Sequence, residues 1–451
     1  MEKMTLREIA DAVHGRLAHA DGALCIDKIS TDSREGGGFT LFVALKGERF
    51  DGHDFIGGFY QNGGAAAMSQ RETEGPAVLV EDTRLALGEL ARHCRGKFDL
   101  PVVGVTGSVG KTSTRRMIES VLSAAGAVCA TQGNLNNDIG LPRTLLTLER
   151  RHKFAVIEMG MNHAGEIRYL THITGPDIAV ITNVGTAHIG NLGSREAILR
   201  AKLEILEGLR PGGTALLNGD DERLWAQRDK LPCRVMYYGI RNPDCDLIAG
   251  SVQCEALESR FRAGGDAFTV CAPGEHHVYN ALAAIAVGRA FGLPAADIQR
   301  GVEGFRPADM RQAITERGGV RVIEDCYNAN ADSMEAALAV LAASGPGRKI
   351  AVLGDMLELG EFTLAEHRRV GDCAARHQTG LLVTVGEYAA AIAERARAGG
   401  VEAVTVENNQ EALRAVLGIL RPGDTVLVKA SRSARFEEIS RGIVEFLEKA
   451  L

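Results

Sequence analysis

The sequence predicts an α/β protein of three domains in series: a small N-terminal α/β domain, a central domain with a parallel sheet, and a doubly wound C-terminal domain. Three observations support this fold class. The length of 451 residues suggests about three domains. Short apolar runs alternate with helical patterns along the chain, as in parallel sheets covered by helices. A content of 45% hydrophobic and 24% charged residues is that of an ordinary globular protein.

Charge and cysteine content narrow the functional classes. A net charge of −7 argues against non-specific binding of nucleic acid or membrane surfaces. The nine cysteines include no CxxC pair, so we expect reduced thiols rather than disulfides or a zinc site. Residues 1–13 form an acidic amphipathic pattern unlike a targeting peptide, and no apolar run approaches the roughly 18 residues of a spanning helix. These features predict a cytoplasmic protein without membrane insertion.

The N-terminal domain is predicted to span residues 1–97. Its strand-like runs and one longer helical pattern occupy, in chain order, residues 40–45, 64–69, 77–82 and 84–95. A Phe-Asp-Leu-Pro stretch at 98–101 then marks the boundary to the next domain. The alternation of elements predicts a small α/β domain.

The central domain, predicted over residues 98–309, begins with the most specific signal in the chain. An apolar run leads into a glycine-rich turn that ends in Gly110, Lys111 and Thr112 and is followed by a helical pattern. In a phosphate-binding loop, glycines let the backbone present N–H groups, the lysine reaches the terminal phosphates, and the threonine hydroxyl holds Mg²⁺. The order strand, loop and helix therefore predicts binding of a nucleoside triphosphate.

Polar residues follow the next strand-like runs of the central domain. Glu158 ends the run at 154–158, and His188 follows the run at 177–182, with a further run at 214–218. Because ligands gather at the carboxyl ends of parallel strands, these two side chains are candidates to share one cation. The alternatives are a solvated glutamate and a structural histidine.

Later segments of the central domain carry weaker signals. Lys202 lies in a helical pattern that Ser194 is placed to cap, and position alone favours a solvated lysine. Residues 232–273 are predicted to be an antiparallel extension, followed by a helix over 278–291. Two histidines precede that helix, and Asn280 lies one turn within it. Adjacent histidines are a weak metal signal, so contact with a base or ribose, or helix capping, is favoured.

The C-terminal domain is predicted over residues 310–451. Regularly spaced strand-like runs begin at residues 320, 349, 380, 402 and 424, with helical patterns between them. This alternation predicts a Rossmann-like, doubly wound sheet. Polar residues at 324–330 close the first run, and basic and hydroxyl residues at 429–432 close the last. Both clusters suit ligand contacts, with a structural turn or a surface charge cluster as the alternative.

Eight segments in order resemble the Mur ligases, the ATP-dependent amide-forming enzymes of peptidoglycan precursor synthesis. They are Thr106-GSVGKTS, Gly133-NLNNDIGLP, Glu158-MGMNHAGEI, the His188 loop, Ala201-KLEI, Asp325-CYNAN, Leu353-GDMLELG and Val428-KASRS. Each is moderately specific, and the series covers essentially the whole chain. Within the family, the chain resembles the branch that joins D-alanyl-D-alanine to UDP-N-acetylmuramoyl-tripeptide through an acyl phosphate.

The resemblance implies ATP and Mg²⁺ as cofactors and assigns residues to them. The implied phosphate-loop contacts are Thr106, Gly107, Ser108, Gly110, Lys111, Thr112 and Ser113. Further nucleotide contacts are Asn280 to adenine, Arg311 to phosphate and Asp325 to ribose. The implied metal ligands are Thr112, Glu158, His188 and Lys202, the last carbamylated by CO₂, which replaces the solvated interpretation. The implied catalytic residues are Lys111, Lys202, His188 and Arg311.

The resemblance also implies where the substrates bind. The UDP end of the precursor would contact Asp32, Ser33, Arg34, Lys46, Asp51, Gly52 and His53. Further substrate contacts in the central domain are Asn134 and Asn137. The dipeptide would meet the C-terminal domain at Asn328 and Asn330. Lys429, Ser431 and Arg432, at the end of the last strand-like run, have the character expected for contact with a phosphate or carboxylate.

Three positions depart from the family pattern: His277 replaces an asparagine, Ala331 a proline and Ala430 a glycine. None lies in the phosphate loop or among the implied metal ligands, so activity is still expected. One alternative is a Mur ligase that adds the third peptide residue, but its Asp-Asn-Pro-Arg signature is absent. Another is a nucleotide-sensing protein, against which the second α/β unit argues. The third precursor residue, diaminopimelate or lysine, is left open, and a monomer is expected.

Overall fold

The computed structural model describes residues 1–449, which fall into two compact units. The first comprises Met1–Thr106, Ala125–Val180 and Leu203–Ala215, and the second comprises Gly107–Ala124, Ile181–Lys202 and the chain from residue 216 onward. None of the helices in the described residues has the length and apolar character needed to cross a membrane. The three domain boundaries drawn from the sequence stay predictions.

The N-terminal segment contains seven strands and three α-helices. The strands are β1 (Met4–Thr5), β2 (Arg16–Ala18), β3 (Cys25–Ile26), β4 (Lys28–Ser30), β5 (Thr40–Val43), β6 (Ala66–Ser69) and β7 (Ala77–Leu79). The helices are α1 (Leu6–Ala12), α2 (Ile56–Gln61) and α3 (Thr83–Gly96), with a 3-10 turn at Gly52–Phe55. The main sheet has the order β2-β7-β6-β5-β4, and β1 pairs with β3. The predicted strands β5, β6 and β7 and the helix α3 are confirmed.

Helix starts in this segment follow ordinary capping chemistry. The Thr5 hydroxyl accepts the Glu8 N–H at 3.2 Å and begins α1. The Asp82 carboxylate accepts the N–H groups of Arg84 and Leu85 and begins α3. Each cap satisfies N–H groups that have no partner within the helix. These cap residues therefore determine where α1 and α3 begin.

The central segment contains the next nine strands. They are β8 (Val102–Thr106), β9 (Val128–Ala130), β10 (Phe154–Glu158), β11 (Ile178–Ile181), β12 (Thr214–Asn218), β13 (Arg234–Gly239), β14 (Leu247–Cys254), β15 (Ser259–Ala263) and β16 (Asp266–Val270). They form one sheet in the order β16-β15-β14-β13-β12-β11-β8-β10-β9. Strand β10 is parallel to both β8 and β9, which confirms the predicted parallel sheet. The extension is antiparallel through β14, β15 and β16, as predicted. Strand β13 runs parallel to β14, so the prediction is wrong for that pair.

The helices of the central segment carry most of the candidate site residues. They are α4 (Lys111–Ser123), α5 (Gly140–Leu145), α6 (Glu166–Thr174), α7 (Ile189–Leu192), α8 (Arg195–Leu203), α9 (Glu222–Trp225), α10 (Glu275–Ala290) and α11 (Ala295–Gly304), with a 3-10 turn at Glu204–Gly208. The start of α10 corrects the sequence prediction, because both histidines lie inside its first turn rather than before it. Buried side chains on all sides of α10 blur the periodicity from which a start is read.

The C-terminal segment forms a six-stranded sheet in the order β17-β18-β22-β19-β20-β21. Its strands are β17 (Ala313–Arg317), β18 (Val320–Glu324), β19 (Lys349–Gly354), β20 (Leu381–Val385), β21 (Glu402–Val406) and β22 (Thr425–Lys429). Its helices are α12 (Ala331–Ala343), α13 (Thr363–Arg376), α14 (Ala389–Ala398), α15 (Asn409–Leu417) and α16 (Glu437–Lys449), with 3-10 turns at Gly360–Phe362 and Arg432–Ala434.

The return of β22 between β18 and β19 makes this sheet doubly wound, as predicted. Strand β17 is antiparallel to β18 and was not predicted. It is an edge strand whose residues are all at least partly exposed, so it lacks the apolar run used to recognise strands. The strand β18 is therefore the second of this segment, not its first.

Candidate active site

The phosphate loop lies between the end of β8 and the first turn of α4. Gly107 has a φ of 150° and Gly110 a φ of 84°, a left-handed conformation at the N-cap of α4. A Cβ at Gly107 would lie 1.8 Å from the Thr182 hydroxyl oxygen. Glycine is therefore required at Gly107 for space and at Gly110 for backbone conformation.

Residues after β11 hold this loop in shape. The Asn183 side chain accepts the Val109 N–H at 2.9 Å and donates to the Val109 carbonyl at 3.0 Å. The Thr182 hydroxyl donates to the same carbonyl at 2.6 Å, and the Ser108 hydroxyl accepts the Gly185 N–H at 2.9 Å. Sequence reasoning missed Thr182 and Asn183, although their position at a strand end was the signal used for His188. These bonds preorganise the loop for an anion.

The cationic and hydroxyl groups expected of such a loop are in place. The Lys111 ammonium donates to the Gly107 carbonyl at 2.9 Å and to the Ser108 carbonyl at 3.4 Å, so it lies over the loop. Thr112 is buried in the first turn of α4, whereas Ser113 is half-buried beside it. Together with the helix N-terminus, these groups form a site for phosphate.

Asn280 on α10 lies next to the phosphate-loop helix. Its side-chain oxygen accepts the Thr114 hydroxyl at 2.8 Å, and its amide nitrogen lies 3.4 Å from Nδ1 of His277. Burial lowers the pKa of His277 well below its usual value, and the neighbouring His276 adds to this. Nε2 of His276 lies 2.9 Å from the side-chain oxygen of Gln312. The histidine pair is thus a buried packing and hydrogen-bonding element, and within residues 1–449 it belongs to no group of three or more His, Cys, Asp or Glu side chains that could hold a metal.

Lys202 on α8 is 1% exposed, which contradicts the solvated interpretation. The Ser194 hydroxyl accepts the Ala197 N–H at 3.2 Å, so the predicted cap is confirmed. Burial lowers the pKa of the Lys202 amine well below its usual value, and the positive charge of Lys111 lowers it further. Both effects disfavour the ammonium form. Both therefore favour the neutral, nucleophilic amine over the ammonium.

His188 lies at the start of α7 with a positive φ of 62°. Its Nδ1 is 2.7 Å from the Glu358 carboxylate, and this contact lowers the pKa of Glu358. The segment Leu353-GDMLELG contributes to the family resemblance, but the sequence analysis predicts no role for Glu358 within it. The distance along the chain left no signal for this pair.

Glu158, at the end of β10 in the first unit, is 2% exposed. One carboxylate oxygen accepts the Asn136 side-chain N–H at 2.8 Å, and the Glu158 N–H donates to the Thr131 hydroxyl at 2.9 Å. The other oxygen, Oε2, is buried and makes no hydrogen bond to a described residue. The sequence analysis selected Asn134 and Asn137 as substrate contacts and did not select Asn136. Asn134 is exposed, and the side chain of Asn137 accepts the N–H groups of Ile139 and Gly140 before α5.

The Glu158 carboxylate offers the kind of donor atom that a hard divalent cation prefers. Buried oxygen ligands suit Mg²⁺, and the unpartnered Glu158 oxygen is such a ligand. Within residues 1–449, no group of three or more His, Cys, Asp or Glu side chains could by itself hold a metal. The roles of Thr112 and Lys202 as metal ligands stay predictions. The sharing of one cation by Glu158 and His188 stays a prediction.

The predicted UDP-binding residues form two local clusters in the first unit. Asp51 accepts the His53 N–H at 3.0 Å, its carboxylate is 2.6 Å from His53 Nδ1, and Nε2 of His53 accepts the Gln70 N–H at 3.0 Å. Lys46 and Asp51 form an isolated antiparallel bridge. A Cβ at Gly52 would lie 2.7 Å from the Leu45 carbonyl. Hydrogen bonds and close backbone packing thus hold this cluster together.

The second cluster is more open. The Arg34 guanidinium binds the Asp32 carboxylate, with an N–O distance of 2.6 Å, and holds the pKa of that carboxyl below its usual range. The Arg34 side chain is 87% exposed, and Ser33 between them is half-buried. An exposed arginine of this kind can reorient toward a phosphate.

The C-terminal candidates converge at the ends of β18 and β22. The buried Lys429 ammonium lies 2.7 Å from the Asp325 carboxylate and donates to the Asn328 carbonyl at 3.0 Å. Ser431 is buried and its hydroxyl accepts the Leu357 N–H at 3.1 Å, and Arg432 pairs with Glu437 at 2.7 Å. Most of these polar side chains therefore already form ion pairs or hydrogen bonds within the protein.

Three candidates remain around this cluster. The Asn328 side chain is exposed, whereas Asn330 caps α12 through a capping box with Ser333. The Arg311 guanidinium stacks 4.0 Å from the ring centroid of Tyr327. Asn328 is thus exposed while its side-chain oxygen accepts the Ala329 N–H at 2.9 Å, and Arg311 is half-buried against Tyr327.

Comparisons with known proteins place the chain in a family. Three family models match: the Mur ligase middle domain over residues 105–288, the Mur ligase glutamate ligase domain over 310–432, and the Mur ligase catalytic domain over 26–95. A curated UDP-N-acetylmuramoyl-tripeptide–D-alanyl-D-alanine ligase of Bacillus subtilis is 38% identical over 99% of both chains. The chain belongs to the Mur ligase family.

Solved structures of other Mur ligases share its fold. A MurF crystal structure from Acinetobacter baumannii matches with a TM-score of 0.93 and 33% identity over 99% of each chain. A MurF ligase from Thermotoga maritima in complex with ADP matches with a TM-score of 0.85 and 28% identity, covering 94% of this Mur ligase and 98% of that chain. The mixed α/β fold with several parallel sheets is thereby confirmed.

Proposed function

We propose that this Mur ligase is an ATP-dependent amide ligase that joins D-alanyl-D-alanine to UDP-N-acetylmuramoyl-tripeptide in peptidoglycan precursor synthesis. The observation that carries the proposal is the extent of the match, because 38% identity to the B. subtilis ligase extends over 99% of both chains. Such a match includes the phosphate loop as well as the C-terminal segment. A protein that only sensed a nucleotide would need no such second half.

The nucleotide is assigned to ATP on the geometry of the loop. Gly107 and Gly110 allow the backbone to approach phosphate, and Lys111 lies over the loop. The T. maritima relative that shares the fold was solved with ADP, which supports the same nucleotide class here. Asn280 is our candidate for the adenine contact, Arg311 for the phosphates and Asp325 for the ribose.

The chemistry must turn a carboxylate into an electrophile. A carboxylate oxygen of the precursor attacks the γ-phosphorus, an O–P bond forms, and the bond to the β-phosphate oxygen breaks to release ADP. The dipeptide amine then attacks the acyl carbon, loses a proton, and expels inorganic phosphate. Two anions must approach in the first step, so the role of Lys111 and Arg311 is to neutralise their repulsion.

The metal ligands of this proposal are Thr112, Glu158, His188 and Lys202. Bound Mg²⁺ supplies neutralisation of phosphate charge. Lys202 contributes an oxygen only after its neutral amine adds to CO₂, which forms an N–C bond, releases one proton and leaves a carbamate anion. The burial and low pKa of Lys202 support this modification, because an ammonium cannot react with CO₂.

Substrate positions follow the predicted domains. We assign the UDP end to the 1–97 segment, with His53 and Arg34 as the sharpest candidates, and the dipeptide to the C-terminal segment near Asn328. The exposed amide of Asn328 supports a role in peptide contact. The protein is proposed to act as a cytoplasmic monomer on small-molecule substrates.

The test is a ligation assay with purified protein, ATP, Mg²⁺ and a matched panel of UDP-muramoyl peptides and amine acceptors, read by mass. We expect a product whose mass equals the tripeptide precursor plus D-alanyl-D-alanine minus water, with phosphate release that needs both substrates. Comparison of diaminopimelate and lysine precursors identifies the third residue. Product formed from a dipeptide precursor and a single amino acid would instead identify the ligase that adds the third residue.

A further inference from the structure

The loop that carries His188 is docked on a turn of the C-terminal segment. We define the His188 loop as residues 184–192 and the Glu358 turn as residues 356–360. The Gly190 N–H donates to the Glu358 carbonyl at 3.1 Å. Nδ1 of His188 lies 2.7 Å from the Glu358 carboxylate. Backbone and side chain of Glu358 therefore both contact this loop.

Backbone conformation shows that the docking is specific. His188 and Glu358 both have left-handed backbones, with φ of 62° and 63°. For residues other than glycine this conformation is unfavourable, and it persists where the surroundings fix it. A Cβ at Gly190 would lie 2.7 Å from the Glu358 carbonyl and from the Gly360 nitrogen. The two segments are shaped to fit each other closely.

A second contact anchors the same loop. The Thr186 N–H donates to the Asp332 carboxylate at 2.8 Å, and a Cβ at Gly185 would lie 2.0 Å from that carboxylate. Arg369 holds the other Asp332 oxygen at 2.9 Å and also pairs with Glu335 at 2.8 Å. The loop is thus fixed at both Thr186 and Gly190, on either side of His188.

The position of the Glu358 carboxylate favours one tautomer of the His188 imidazole. Among the described residues, Nδ1 of His188 has no partner that meets hydrogen-bond geometry, but a carboxylate oxygen 2.7 Å away repels a nitrogen lone pair. Nδ1 therefore carries the proton, which leaves the lone pair on Nε2. In metal-binding histidines, a carboxylate beside the other ring nitrogen commonly fixes the tautomer and the ring orientation. The His188 side chain is 18% exposed, whereas that of Glu358 is 51% exposed.

We propose that Glu358 is a positioning residue for His188: it holds the Nδ1–H tautomer so that Nε2 can bind the cation, and it makes formation of the metal site depend on docking of the C-terminal segment. This inference rests on the proposed function, which makes His188 a Mg²⁺ ligand.

The test compares Glu358→Ala and Glu358→Gln with Glu361→Gln, a matched control at an exposed glutamate on the neighbouring turn. Nitrogen NMR of ¹⁵N-histidine-labelled protein reports the His188 tautomer, assigned by the signal lost in His188→Ala. Electron paramagnetic resonance measures binding of Mn²⁺, a spectroscopic substitute for Mg²⁺, in the presence of ADP. Ligation at varied Mg²⁺ gives the third readout.

We expect wild type and Glu361→Gln to show the Nδ1–H tautomer. In Glu358→Ala this tautomer is lost, Mn²⁺ affinity falls about 10- to 100-fold, and half-saturating Mg²⁺ rises by a similar factor. Glu358→Gln retains a neutral acceptor and falls between the two. A Glu358→Ala protein that keeps the Nδ1–H tautomer, or binds Mn²⁺ within twofold of wild type, overturns the inference.

Failure of the proposed function gives a different result. If the wild type makes no ligation product while the tautomer and Mn²⁺ effects appear as expected, the reaction is wrong and the role of Glu358 stands. If His188→Ala leaves Mn²⁺ binding unchanged, His188 is not a ligand and the role of Glu358 falls with it. If ligation proceeds and only the Glu358→Ala effects are missing, the positioning role alone is refuted.

Discussion

We expect the burial of Lys202 to have a measurable effect on stability, which replacement of this residue by methionine tests. Methionine has similar length and cannot be protonated. Lys202 is 1% exposed and its pKa is lowered well below the usual value, whereas in the unfolded chain it is near 10.4. Between these two pKa values the unfolded state binds one proton more than the native state. The free energy of unfolding of the wild type therefore rises with pH in this window.

Proton linkage determines how strongly the free energy of unfolding depends on pH. One proton of difference gives a slope of about 1.4 kcal/mol per pH unit. Lys202→Met lacks this slope, so we expect it to be more stable than wild type at the low end of the window. The gap should close by about 2.7 kcal/mol over two pH units within the window.

The assay is urea unfolding in CO₂-free buffer at several pH values, followed by fluorescence of the single tryptophan, Trp225. This residue lies in the same unit as Lys202, so it reports the relevant transition. Lys230→Met, at an exposed lysine, is the matched control. Added bicarbonate and Mg²⁺ should stabilise the wild type but not Lys202→Met, by about 1.4 kcal/mol when CO₂ is tenfold above its apparent Kd.

Two results would refute the reasoning. The first is the same pH dependence of unfolding in wild type and Lys202→Met, with a slope difference no larger than that between wild type and Lys230→Met. In that case Lys202 remains protonated in the native protein, and its carbamylation loses its chemical basis. Equal stabilisation of both proteins by bicarbonate would show that CO₂ acts elsewhere.

Further substitutions test the phosphate loop, the cation and the C-terminal cluster. Lys111→Ala should lower ligation about 10²- to 10³-fold in a phosphate-release assay, because charge stabilisation is lost; near wild-type turnover would contradict the assignment. Glu158→Gln should raise the half-saturating Mg²⁺ concentration in the same assay, and an unchanged value would place the cation elsewhere. Asp325→Ala leaves the buried Lys429 without its carboxylate and should lower the free energy of unfolding in urea by about 3–5 kcal/mol. The double variant with Lys429→Met should recover much of this stability. Additive losses from the two substitutions would argue against the ion pair. Asn328→Ala should raise the D-alanyl-D-alanine concentration needed for half-maximal rate at unchanged ATP requirement, and an unaltered dipeptide dependence would remove Asn328 from the acceptor site.

The local order of the fold was readable from the sequence because buried parallel strands are short apolar runs. The runs at 154–158 and 214–218 coincide with β10 and β12, and the glycine-rich turn before Lys111 is the phosphate loop. Strand β17 was missed because an exposed edge strand carries no apolar run. The start of α10 was misplaced because its buried residues surround the helix and blur its periodicity.

Tertiary structure decided the chemistry of the site. Lys202 lies in an amphipathic pattern in which any lysine looks solvated, and only packing buries its amine and lowers its pKa. Glu358 and His188 are far apart along the chain, and only the fold brings them within 2.7 Å. Local sequence fixes which backbone conformations and faces are favourable, because these depend on neighbouring residues. Burial and charge pairing depend on residues distant in sequence, so the folded chain alone determines them.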